Sequence, residues 1–207
     1  YTALLLKRKI AIYHHSQAEL LDFASALPAF VAHRTELPPS EILYPNVDLH
    51  SAEQLDELRN RAHFIATFLD SKIEEREDLY DIYVNLAAVE ITISHQARDV
   101  FSMTKTHKEI AMALVRVAES DSLGAEQVLH EINKKTSELR NALLMIAKEG
   151  SKNEDGGDDE SDEGDATIRQ HQRISKQQLK QKLLSPNLES FYWNLAIAEG
   201  IADMADE

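Results

Sequence analysis

Hydrophobic positions between residues 51 and 120 recur with a period of 3.5, and no glycine or proline interrupts them. With Leu55 at a and Leu58 at d, the a positions run Leu55, Ala62, Leu69, Arg76, Tyr83, Glu90, Ala97, Thr104 and Ala111. The d positions run Leu58, Ile65, Lys72, Leu79, Leu86, Ile93, Val100, His107 and Leu114. Such a seam predicts a helix that lies along other helices. Unbroken it would be about 105 Å long at about 1.5 Å per residue, whereas a compact domain of this size has a radius of gyration of about 17 Å. The pattern therefore predicts an elongated molecule or a single break, best placed at Asp70-Ser71, where two poor helix formers meet.

Flanking segments extend the same picture. Leu6, Ile10, Tyr13, Leu20, Leu21, Ala24, Leu27 and Val31 predict a first helix over about 2–34, kinked at Pro28. Pro38, Pro39 and Pro45 make the next fifteen residues a connection. Ser51 and Gln54 have the spacing of a capping box and start the long helix. A third helix is expected over 123–149, with Leu129, Ile132, Leu139, Leu143 and Ile146 on one face and Gly150 at its end. Residues 151–166, rich in acid and glycine and without an aliphatic side chain before Ala166, read as a disordered linker. A basic, glutamine-rich helix over about 167–184 follows, and Ser185-Pro186 opens a last helix carrying Leu188, Phe191, Tyr192, Leu195 and Ala198. The expected fold is all-α: an elongated four- to five-helix bundle around one long heptad-patterned helix. Its core spans 1–150, its acidic linker 151–166 and its C-terminal helical pair 167–207.

Composition narrows the function. At 207 residues and 43% hydrophobic content the chain can fill a core. It has no cysteine, which removes disulfides, thiolate metal sites and cysteine nucleophiles. Leu4-Leu5-Leu6 is followed at once by Lys7-Arg8-Lys9, so no run within the chain spans a bilayer, and an intracellular, cytoplasmic protein is expected. A chain opening on Tyr1 also reads as a piece of a longer product. The net charge of −14 argues against nucleic acid as a partner, because phosphate binding is driven by Lys and Arg. Charge is segregated, however: Arg169, Arg173, Lys176, Lys180 and Lys182 fall in a segment without acids, directly after the acidic linker. That segment is a candidate contact for an anionic membrane surface, with the linker able to fold back and screen it.

Candidate chemistry is sparse. On a helix, Glu74, Asp78 and Asp81 would share one face. The run Glu74-Glu75-Arg76-Glu77-Asp78 resembles the first half of the Glu-Glu-x-x-Glu motif with which the all-α nucleotide pyrophosphohydrolases bind magnesium, with Asp in place of the last Glu. The answering Glu-x-x-Asp has no match, since Glu90-Ile91-Thr92-Ile93 fails it. A solvated helix face is the preferred reading, and no metal or cofactor is assigned. The histidines show no His-x-x-x-His or Glu-x-x-His pair, and His107 at a d position reads as a hydrogen-bonded core residue.

Polar residues inside the seam are more telling. Lys72, Arg76 and Glu90 cost stability if buried, and such residues are best known for fixing register or partner choice. Two copies of the long helix packed antiparallel about Asp81 would set Lys72 opposite Glu90 and Leu79 opposite Tyr83, which predicts a homodimer. The sequence therefore points to a non-enzymatic interaction or scaffolding module that works through helix faces on protein partners. A membrane-bound scaffold resembling the crescent-shaped BAR class and a carboxylate-metal nucleotide hydrolase are the two alternatives.

Overall fold

The computed structural model describes residues 1–34, 38–120, 124–154, 173–183 and 185–204, with the backbone alone for residues 39 and 149–154. The chain divides into two compact units, Tyr1–Ser102 with Gly124–Asn133, and Met103–Leu123 with Lys134–Glu207.

The first unit is α/β, which overturns the all-α bundle, the coiled coil and the long central helix. Along the chain come α1 (Thr2–Leu5), β1 (Lys9–Tyr13), α2 (Gln17–Ala26), a 3-10 turn (Leu27–Val31), α3 (Pro39–Ile42) and β2 (Leu43–Tyr44). Next are α4 (Ala52–Asn60), β3 (Phe64–Phe68), a second 3-10 turn (Ser71–Glu75), β4 (Ile82–Asn85), β5 (Glu90–Ile93) and a third 3-10 turn (His95–Ala97). The sheet order is β2-β3-β1-β4-β5; β5 runs antiparallel to β4 and the other neighbours are parallel.

Side chains alternate across this sheet and fill two cores. Ile10, Ile12 and Ile65 pack with Leu4, Leu20, Ala24 and Leu27 on one face. Ala11, Phe64, Ala66, Phe68 and Tyr83 pack with Leu55, Leu58, Ile73 and Leu79 on the other. All five residues of β3 are buried. A strand covered on both faces reads as a continuous apolar run, which short windows cannot tell from a buried helix.

Local chemistry explains where the expected helix breaks. Ser51 caps α4 as its hydroxyl accepts from the Gln54 amide, but the Gln54 side chain accepts from Asp48 instead of closing the box. Arg61 then turns extended, and α4 ends after nine residues. No helix reaches Asp70, where the single break was expected: β3 ends at Phe68, and Asp70 Oδ1 accepts from the Lys72 amide at 2.9 Å to open the second 3-10 turn. The β4–β5 turn closes without glycine: the Asn85 side chain accepts from the Ala88 amide at 3.0 Å, and Val89 takes a left-handed conformation at φ 56°.

The second unit is helical. Its elements are α5 (Lys105–Ala118), the continuation of α6 (Ala125–Glu154), α7 (Lys176–Lys182) and α8 (Pro186–Glu199). Thr104 and His107 form a capping box at the start of α5, and the buried His107 ring stands edge-on to Phe191 at 4.8 Å. Burial lowers the pKa of this imidazole. Pro186 occupies the first turn of α8 as expected, and Gly200 ends that helix at φ 72°. Arg140 Nε donates to Glu199 Oε2 at 2.8 Å. Two boundaries differ from expectation. Helix α6 runs through Gly150 to Glu154, and the basic helix is only seven residues long. The rest of the acidic stretch, 155–166, lies outside the described residues, as does Arg169.

Candidate interaction surface

Open α/β sheets commonly hold ligands beyond the carboxyl ends of their parallel strands. Here β1 passes to α2 through His14-His15-Ser16, without glycine. His14 is buried; its Nδ1 accepts the Ser16 amide at 3.0 Å and its Nε2 lies 3.3 Å from Glu19. The two histidine rings are 4.1 Å apart. A phosphate cradle needs amides aimed outward, and the Ser16 amide is turned onto the ring instead. The pair braces the loop.

The residues singled out from the sequence are not gathered into one site. Lys72 is exposed on the second 3-10 turn and Glu90 is exposed on β5, so the helical register that set them face to face does not exist. Arg76 donates to Asp78 from Nε at 2.9 Å and Nη2 at 3.0 Å, and Arg59 reaches the same carboxylate at 3.3 Å. These guanidinium groups, Arg76 first, hold the Asp78 carboxyl below the usual carboxylate range. Asp81 Oδ2 accepts the Lys9 amide at 2.8 Å. Glu74 and Glu75 end a 3-10 turn, so the shared helical face of the metal reading is absent, and among the described residues no cluster of three potential metal ligands forms. Arg173, Lys176, Lys180 and Lys182 are exposed on or beside α7. Lys176 lies over the Trp193 ring at 5.8 Å and shares a cleft with Lys180 and the acid Glu189. The first hundred residues build a sheet in place of the long helix from which the crescent reading started.

What the structure does present is an apolar sheet edge. The hairpin joins Asn85 to Glu90, and β5 then pairs Ile91 with Val84, Thr92 with Tyr83 and Ile93 with Ile82. Ile82 and Val84 pack at the fringe of the core that α1 and α2 cover, whereas Ile91 lies one strand further out. Ile91 is 68% exposed and Val89 90%. The outer side of β5 has no strand neighbour among the described residues. Unpaired backbone groups beside exposed β-branched side chains are what a β-augmenting partner uses.

Interior packing backs this edge. Tyr83 of β4 is fully buried and its ring lies 5.7 Å from that of Tyr80, whose hydroxyl donates to the Glu74 carbonyl at 2.8 Å. Burial pushes both phenols up to about 12. Past β5, the Ser94 amide donates to the Asp81 carbonyl at 3.0 Å, and Glu77 accepts the His95 amide at 2.9 Å and contacts the ring Nδ1 at 2.8 Å. The bond from the His95 amide, then that to its ring, keep the Glu77 carboxyl below its usual range. The alternation Glu90-Ile91-Thr92-Ile93, β-branched at three positions, is the signal by which this strand could have been found.

The second unit shows exposed apolar side chains of its own, Met112 and Val115 on α5 and Met145 on α6. Among the described residues, no helix is long and apolar enough to cross a membrane.

Residues 1–95 match the family described as Stabilization of polarity axis (SPA), and that stretch contains all five strands. Over 199 residues the chain is 35% identical to DENN domain-containing protein 10 of Danio rerio and 33% identical to the Homo sapiens protein of that name. Over 201 residues it is 30% identical to the Dictyostelium discoideum protein of that name. These alignments cover 96–97% of this chain and 50% of each relative, so the chain spans about half the length of the curated relatives it matches. The likeness and the fold together indicate a small regulatory or interaction module.

Proposed function

We propose that this chain is a regulatory protein-interaction module of the SPA/DENN type, which acts by binding rather than by bond-making chemistry and whose partner is a small GTPase of the Rab class. The β5 edge is the docking surface in this reading, and the chain works in the cytoplasm. The exposed Val89–Ile91 hairpin carries it. The hairpin lies within the segment that matches the SPA family, and its two apolar side chains are placed where they add nothing to the core. Apolar anchors in a rigid surface are what give protein interfaces most of their affinity. A second copy pairing at the same edge is the competing occupant, so the oligomeric state belongs to the same test.

A panel of Rab-class GTPases, each in GDP-bound and nucleotide-free form, tests the proposal by calorimetry, with nucleotide release followed in parallel. Binding of one member, lost on Val89→Asp with Ile91→Asp, supports it. Binding unaffected by that pair of changes refutes the surface. No binding across the panel, with a monomer by sedimentation, refutes the partner class.

A further inference from the structure

Helix α5 carries apolar side chains on two opposite faces. One face turns His107 and Ile110 into the interior of the second unit, with Leu114 and Val117 half-buried on the same side. A helix packed on one side ordinarily presents charged and polar residues on the other. Here Lys108, Met112, Val115 and Glu119 form a straight stripe opposite the packed side, about three turns long at about 3.6 residues per turn. Met112 is 64% exposed and Val115 52%, and the two charged residues at the ends are exposed as well.

The stripe is complementary to itself. Two copies of α5 laid antiparallel, about a two-fold axis level with Ala113 and Leu114, set Met112 of each copy against Val115 of the other. The same register sets Lys108 of each copy opposite Glu119 of the other. Its flanks agree, with Glu109 level with Arg116 on one side and Ala111 level with Ala118 on the other, all four exposed. Within one copy Glu109 meets Lys105 at 3.8 Å, an exposed contact of little worth. A parallel pair would set Lys108 on Lys108 and Glu119 on Glu119, whereas the antiparallel pair also aligns opposite dipole ends.

From this complementarity we infer that α5 is a self-association surface, which pairs antiparallel with α5 of a second copy of this chain. Apolar residues at the centre supply the contact, and opposite charges at the ends and flanks fix its orientation. Three turns of one helix bury less than a permanent interface does, so the pair is a weak one, half-formed near about 100 µM. The inference is independent of the proposed partner: α5 lies outside the segment that matches the SPA family and shares no residue with the β5 edge.

Sedimentation equilibrium of the whole chain tests it. The weight-average mass should stay near 23.4 kDa below about 10 µM and climb towards twice that by about 1 mM. Met112→Glu, at an exposed position, should weaken association about tenfold or more and leave the circular dichroism spectrum unchanged. Lys108→Glu and Glu119→Lys each set like charges opposite one another at both ends, and each should weaken it about threefold or more. The two together should restore it. Acids early in a helix and bases late in it favour the helix itself, so these swaps separate lost pairing from lost folding. Because the chain has no cysteine, Met112→Cys mixed with Val115→Cys should form disulfide-linked pairs faster than either variant alone. Val89→Asp with Ile91→Asp should leave association unchanged. A monomer at every concentration, association unmoved by Met112→Glu or by the single swaps, a double swap without rescue, cross-linking fastest within one variant, or association lost on the β5 changes would each overturn the inference.

Discussion

The two edges of the sheet solve the same problem in opposite ways. Strand β2 is two residues long and half-buried. Tyr44 stands edge-on to Phe64 at 6.2 Å, with the Arg61 guanidinium 5.6 Å from its ring. The chain then leaves by a tether: Asn46, left-handed at φ 54°, donates its amide to Thr67 Oγ1 at 2.8 Å, and the Val47 amide donates to the Thr67 carbonyl at 2.9 Å. Strand β5 has four residues, β4 on its inner side, no strand on its outer side among the described residues, and an exposed Ile91. Shortness and side-chain cover blunt an edge against unwanted pairing. In the proposed reading the longer, apolar edge is the one with which a partner pairs.

Charge on the open edge is the strongest way to break the contrast. Val89→Asp with Ile91→Asp should lower partner affinity at least a hundredfold while moving Tm by no more than a few degrees, because neither side chain is buried; calorimetry and a melt on one sample decide it. At the closed edge the effect should fall on stability instead. Thr67→Val removes the acceptor for the Asn46 amide at a fully buried position and should cost about 1–2 kcal/mol in urea unfolding, with partner affinity unchanged.

Two tyrosines sharpen the contrast from the inner side of β5. Tyr80→Phe loses the bond to Glu74 and should cost about 1 kcal/mol. Tyr83→Phe should gain about as much, since its buried hydroxyl has no hydrogen-bond partner among the described residues. Because folding raises both phenols to about 12, the folded chain keeps protons that the unfolded chain loses above about pH 10. Their contribution to stability is complete below pH 10 and falls as pH rises towards 12, which absorbance at 295 nm and alkaline unfolding measure together. The smallest effect is local. The Glu77 carboxyl is lowered by His95, so its contribution is present above the usual carboxylate pKa and is lost as pH falls through the lowered value. The His95 amide resonance should report that titration, and Glu77→Gln should flatten it.

Much of the second unit was legible in the sequence and little of the first. Ser185-Pro186 and Gly200 bracket α8 with chemistry that works locally, and the periodic face of α6 is long enough to be unambiguous. The absence of glycine and proline over 51–120 suggested one long helix, continuous or broken once at Asp70-Ser71, where the first unit has a helix, three strands and 3-10 turns before α5 begins. The turns there are instead made by Asp70, Asn85 and Ser94, and by Val89 in a conformation that sequence rules reserve for glycine. The a and d positions then counted residues from helices and strands alike: Leu55 and Leu58 line the buried side of α4, whereas Ile65 and Tyr83 belong to β3 and β4. Lys72, on the second 3-10 turn, and Glu90, on β5, are exposed positions and not a helical interface. The surface was visible only as the β-branched alternation of β5.

Hydrogen exchange of the backbone amides of 89–93, with and without the bound Rab-class partner, tests the central claim most directly. The account predicts that these amides slow at least tenfold in the complex while those of β2 are unchanged. Slowing at β2, or no change at 89–93 while the partner is bound, would contradict it.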